Sequence, residues 1–257
     1  MKDSKSFKII AIAVVIAVLI NSLFQILETG LPYFFKDLKV KSDISVTGYH
    51  EQEFTSDLIV WEANFSTNDM NKQKAFSQIK EDRETIKDFL INKGIKENEI
   101  TFKATWDKKN YRYEDKLIEG SNERTTEISI FTGYTLGQNL IVESNNVNLV
   151  EKVCNEITDL IEQDIDITSH SPKYYYTKLG DKKIATIEAA SKNGLLRAQT
   201  TVKGGGGELG ELQETSIGVF QILGKNSDDE YSWGGTFNTS HKEKIISVNV
   251  KQRYSIK

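Results

Sequence analysis

At 257 residues, with 38% hydrophobic and 27% charged side chains, the chain can bury one large core or two small ones, which excludes a disordered or fibrous protein. A formal net charge of −4 offers nucleic acid no basic surface. The single cysteine, Cys154, excludes an intrachain disulfide, and two prolines leave no Pro-rich linker.

The chain opens with Lys2, Lys5 and Lys8, followed by Ile9 to Leu27 without a charge. As a helix this run extends about 28 Å, close to the hydrocarbon thickness of a bilayer. A cleaved secretory signal is the alternative. However, the run is longer than a usual apolar signal region, no small-x-small site follows it, and the next residues include the bulky Tyr33, Phe34 and Phe35. The favoured reading is an uncleaved anchor: residues 1–8 as a cytoplasmic tail, 9–27 spanning the membrane, 28–42 as a juxtamembrane linker and 43–257 outside. The three lysines set the orientation.

Beyond the anchor, Ile44 and Val46 alternate with polar residues, and Ile59, Trp61, Ala63 and Phe65 line one face of a second strand. A helix is predicted from about Met70 to Lys93, capped within residues 67–69, with Phe76, Ile79, Ile86 and Leu90 as its stripe and Gly94 as its stop. Arg83 interrupts that stripe and is expected to snorkel or to pair with an acid. Ile100 to Trp106 reads as a strand, and Asp107 to Arg124 as a charged loop without a burial period. Residues 127–134 and 138–144 read as a hairpin turning at Gly137. A second helix, capped within residues 144–146, carries Val150, Val153, Cys154, Ile157, Leu160 and Ile161, which buries Cys154. Strands follow at about 164–170 and 173–179. A third helix runs from Asp181 to about Val202 with Ile184, Ile187, Leu195, Ala198 and Val202, and a strand at 211–223 precedes an alternating final strand, 245–257. Helices between hairpins specify an α+β fold of antiparallel sheets with about three packing helices behind one N-terminal transmembrane helix, and no linker divides residues 43–257.

The glycine run Lys203-GGGG-Glu208 is the one motif that suggests phosphate binding. It follows a helix and is flanked by Glu208 and Glu211, so it sits at a negative dipole end and reads as a C-cap and hinge. His50, His170 and His241 lack metal-ligand spacing, the acidic run 228–230 lacks the calcium-loop pattern, and the Cys154 stripe position predicts an inert thiol. Tyr174, Tyr175 and Tyr176 put aromatics on both faces of one strand, which is covered either within the fold or by another subunit. No catalytic, cofactor or metal residues are assigned.

In this order, the chain resembles the SIMPL family, also called family of unknown function 541, of bacterial envelope proteins. Val46 and Gly48 in ISVTG followed by Asp57 match its opening signature, and Gly94-Ile95 match the element after its first helix. Tyr134 leads into its L-x-V strand, and the glycine run holding Gly207, with Leu209 and Gly210 after it, matches its closing G-x-x-L-G-x-L. Ser56 stands where the family usually has proline. The resemblance implies a protein of the periplasm or envelope without an established catalytic activity. Some members look like ring- or channel-shaped oligomers, some are linked to oxidative-stress tolerance, and eukaryotic relatives bind a kinase.

The resulting expectation is a non-enzymatic, membrane-anchored protein that self-assembles at the cell envelope. The alternative is a monomeric binding module that meets an envelope partner through residues 107–124. An enzyme would need an acid pair made by folding, such as Asp57 with Glu62 or Asp107.

Overall fold

The structure, a computed structural model, describes residues 3–36, 42–117 and 125–257. The element order is α1 (Asp3–Lys36), β1 (Asp43–Thr55), β2 (Leu58–Asp69), α2 (Lys72–Asn92), β3 (Ile100–Phe102), β4 (Trp106–Leu117), β5 (Thr125–Ser144), α3 (Val147–Glu156), β6 (Asp166–Ser169), β7 (Lys173–Tyr175), α4 (Leu179–Gly204), β8 (Leu209–Ile217), β9 (Gln221–Gly224), β10 (Thr236–Phe237) and β11 (Glu243–Ile256). This is the expected α+β class. Every pairing in the six-stranded sheet is antiparallel, and the short β9–β10 pair is parallel. The chain divides into two compact units: residues 1–46, 196–215 and 252–257, and residues 47–195 and 216–251.

In the larger unit, six strands form one sheet in the order β3-β5-β2-β6, with β4 also on β5 and β7 also on β2. The helices α2 and α3 cover it, and the main core lies between: Ile59, Trp61, Ala63 and Phe65 of β2 against Ile79, Ile86, Leu90, Val150, Val153 and Ile157. A second sheet orders β1-β11-β9-β10. Ala190 of α4 packs there on Val248 and Val250, and Phe54, Ile222 and Ile246 form a further cluster with Tyr176 and Leu179. In the smaller unit β8 pairs with β11, and Arg253 bridges Asp43 and Glu214 at 3.1 and 2.8 Å.

Several elements differ from the sequence expectation. Residues 107–117 are strand β4, whose register on β5 runs from Trp106 opposite Gly137 to Leu117 opposite Thr125; residues 118–124 of the predicted loop lie outside the described residues. The predicted hairpin is one 20-residue strand, β5. Gly137 makes no turn: an added Cβ would overlap the Trp106 ring, so the glycine is there to seat the indole. Gly133, at φ +123°, sits at the register shift between Asn110 and Tyr111, where only glycine bends easily.

The helix α2 starts later than expected, capped by Asn71, whose side chain accepts from the N–H groups of Gln73 and Lys74. Ala75 faces the core, Phe76 is exposed, and Asp82 fills a core position; Arg83 stacks over Phe102 at 4.8 Å and pairs with no acid in the stripe. After Glu156, α3 tightens into a 3-10 turn, Ile157–Gln163, and at about three residues per turn Leu160 stays inside while Ile161 rotates out. The helix α4 begins at Leu179, ahead of Asp181, and exposes Ile184 and Leu195; its inner face holds the small Thr186 and Ala190. The predicted strand 211–223 falls on two strands, β8 and β9.

The helix α1 continues through Lys36, so most of the predicted linker 28–42 is helical and residues 37–41 lie outside the described residues. Its described side chains, 12–28, are exposed, Leu23 and Phe24 among them. Among the described residues no helix is long and apolar enough to cross a membrane.

Candidate functional site

Ser56 and Asp57 alone separate β1 from β2, so the backbone changes sheets in two residues. Asp57 fixes that corner. Its Oδ1 accepts the Thr177 N–H at 2.7 Å and its Oδ2 the Thr177 hydroxyl at 2.7 Å; its own N–H donates to the Tyr175 carbonyl, and its carbonyl accepts from Asn145. Thr177 lies where β7 leaves one sheet and α4 arrives at the other, so one carboxylate ties both crossings together. It forms no acid pair. Glu62 accepts from Asn139, and Asp107 is ion-paired with Lys72 at 2.6 Å.

The other signature residues are also explained by backbone geometry. At Gly48 an added Cβ would overlap the Ala190 carbonyl and lie 2.6 Å from the Gly194 nitrogen, so glycine lets α4 touch β1. Val46 is half-buried beside it in sequence. Gly94, at φ +98°, ends α2: its N–H donates to Ile91, the Ile95 N–H donates to Leu90, and Ile95 is buried. These two bonds and the apolar contact are a Schellman cap. The glycine run repeats it after α4, where Gly206 (φ +80°) donates to Lys203 and Gly207 to Val202. This is a C-cap, as the dipole argument expects. Leu209 is half-buried, and a Cβ at Gly210 would overlap the Ser255 hydroxyl where β8 meets β11. Tyr134 packs on the main core and its ring meets Phe131 at 5.1 Å.

Of the three consecutive tyrosines, Tyr176 meets Phe54 at 5.1 Å, and Tyr174 packs on the main core while its hydroxyl donates to Glu151 at 2.9 Å. Tyr175 is half-buried and takes part in the corner through its carbonyl. Burial, then the Glu151 hydrogen bond, pushes the Tyr174 phenol up. Burial does the same to the Cys154 thiol, which donates to the Glu151 carbonyl at 3.2 Å. A thiol held protonated is a poor nucleophile.

His170 contacts Asn64, and His241 contacts Asn238 in the 225–241 loop. There Asp229, expected on a solvated tip, turns inward to accept the Gly224 N–H and the Asn238 amide, and those bonds hold its carboxyl low. Among the described residues no three His, Cys, Asp or Glu side chains gather to hold a metal.

Sequence reasoning missed three features. Lys244 is 1% exposed, its ammonium donates to the Tyr174 carbonyl at 2.6 Å, and burial pushes it down to about 8. The signal was legible: Lys244 shares the period-two phase of Ile246, Val248 and Val250. Asp82, likewise in phase with Ile79 and Ile86, is buried with Gln78 as its donor, and burial pushes its carboxyl up. Tyr49 donates to Glu51, and burial, then that bond, raises its phenol.

The geometry defines a two-sheet α+β domain whose shared motifs are caps, corners and close backbone approaches. The chain belongs to the SIMPL family: the family pattern described as a protein of unknown function (DUF541) matches residues 44–251. No curated protein matches the chain.

Proposed function

We propose that this is a non-enzymatic, membrane-anchored extracytoplasmic SIMPL protein that assembles with copies of itself, with the β4/β5 ribbon supplying the contact. The observation that carries the reading is the ribbon. From Tyr111 to Leu117 and from Thr125 to Phe131 the two strands, among the described residues, pair only with each other, exposing Tyr111 and Tyr113 beside the partly covered Phe131. A two-stranded ribbon is marginal alone in water, and its outer edges offer unpaired N–H and C=O groups. Copies of the chain would cover both. The uncharged run Ile9–Leu27 behind three lysines supports the anchor and its orientation.

The test is the molar mass of the full-length protein in mild detergent, by light scattering with the detergent subtracted. A discrete mass of several subunits is expected, together with its loss in Tyr111→Asp/Tyr113→Asp at unchanged melting temperature, because neither ring enters a core. A mass near 29.1 kDa would overturn the assembly and return the ribbon to the role of a partner-binding arm.

A further inference from the structure

A groove of about 420 Å³ opens where the start of α4 faces the β9–β10 edge of the second sheet. Leu179, Val219, Phe220, Ile222 and Phe237 line it, which makes its wall apolar, and its size falls within the range of small-molecule sites. Its one charged lining residue is Lys183, one helical turn from Leu179, with its ammonium 5.2 Å from the centre of the Phe220 ring. A second ammonium, that of Lys244, lies 5.7 Å from the Phe237 ring. No acidic side chain lines the groove, and none of the ion pairs among the described residues engages either lysine.

The mouth is shaped by backbone. Gly235 holds φ +89°, and a Cβ there would come within 2.8 Å of the Phe220 carbonyl, while a Cβ at Gly234 would meet nothing within 4 Å. Two adjacent residues without side chains therefore form one lip. Trp233, immediately before them, is 98% exposed and free to lie across an occupant.

We propose that this groove binds a free single-chain acyl carboxylate, with the chain against Phe220, Ile222 and Phe237 and the carboxylate on the Lys183 ammonium. Charge complementarity selects this ligand. The whole chain is net negative, so nothing but a local cation draws an anion here, and an apolar wall with one unneutralised ammonium matches an apolar molecule with one negative end. A cationic amphiphile would leave both lysines opposed, and an uncharged one would leave Lys183 without an acceptor. The proposal is independent of self-assembly.

The experiment uses the full-length protein in amphipol and a diazirine-bearing decanoate, with cross-linked peptides mapped by mass spectrometry. Labelling is expected on the peptides holding Leu179–Lys183 and Val219–Phe237, displaced by plain decanoate and not by decyltrimethylammonium. In Lys183→Glu it should fall about tenfold, the loss of one charge-assisted contact, at unchanged melting temperature. Val219→Trp, which fills the groove and keeps the lysine, should also abolish it. Labelling confined to α1 would mean partition onto an apolar helix alone and would overturn the proposal. So would groove labelling that survives Lys183→Glu or that the cationic competitor displaces equally well.

Discussion

The Asp57 corner and the β4/β5 ribbon lie in the same unit and are built in opposite ways. At the corner both Asp57 carboxylate oxygens have donors, and the Ser56 and Asp57 N–H groups have acceptors. The ribbon has two strands, an outer edge on each that is unpaired among the described residues, and exposed aromatic rings. The family signature falls on closely held backbone and largely misses the second kind of place: Asp57 forms the corner and Gly48 lets α4 approach β1, while nothing between Lys108 and Phe131 belongs to it. The signature therefore marks how the domain folds, and the ribbon is the surface that the proposed assembly would use. Substitutions at the corner should lower stability and leave assembly intact, the converse of the ribbon variants.

The largest effect is expected at Gly48. In Gly48→Ala the new methyl would overlap the Ala190 carbonyl, a backbone atom that yields only if α4 moves. The expected loss is about 3 kcal/mol, or roughly 10 °C in thermal melting. A loss under about 1 kcal/mol would show that α4 does not sit on β1 this closely.

Asp57→Ala comes next. It leaves the Thr177 N–H and hydroxyl without their acceptor, for an expected loss of about 2 kcal/mol in denaturant unfolding. Asp57→Asn keeps one acceptor and should lose about half as much. Were Asp57 instead part of a binding surface, the alanine variant would keep its stability and lose mass in light scattering.

Lys244 gives the corner a pH dependence. Its ammonium is protonated in both folded and unfolded chains below pH 8; between about 8 and its ordinary value of 10.5 the unfolded chain holds the proton and the folded chain does not. Stability therefore rises with pH across that window, by roughly 1–2 kcal/mol before tyrosine ionisation intervenes. Melting curves from pH 7 to 9.5 should show the rise in the native protein and not in Lys244→Met. A flat native profile would mean that water reaches the ammonium.

How much of this the sequence disclosed depends on where apolar faces are one-sided. The β2 residues Ile59, Trp61, Ala63 and Phe65 alternate because one face is buried, and all four are in the core. The ribbon is wet on both faces, so β4 carries charges in both phases and its period disappears; a two-residue rhythm reveals a strand only when one side is dry. In β5 the phase was present: Tyr134, Leu136, Leu140 and Val142 share one parity across Gly137, which a tight turn would have broken. The inner face of α4 was hidden for another reason. It approaches closely through Thr186, Ala190 and Gly194, and small residues leave no large apolar stripe. The caps at Gly94 and Gly206 were legible because a helix end with positive φ calls for glycine. The Lys183 groove was not, since its wall comes from α4, the β8–β9 connection and β10, which only the fold brings together.

The smallest effect belongs to Ser56, where SIMPL proteins usually have proline. Its side chain is buried, its hydroxyl has no hydrogen-bond partner, and its N–H donates to the Lys242 carbonyl at 2.9 Å. Ser56→Ala removes a desolvated hydroxyl and retains that N–H, so the expected change is neutral to a gain of about 0.5 kcal/mol. Ser56→Pro tests the other half: it fixes φ but deletes the donor, leaving the Lys242 carbonyl unanswered, and should lose about 1 kcal/mol or more. The pair separates two accounts of the corner. If proline stabilises, the turn is held by backbone preference and the Lys242 bond contributes little; if alanine stabilises and proline does not, hydrogen bonding holds it, as it does at Asp57 one residue on.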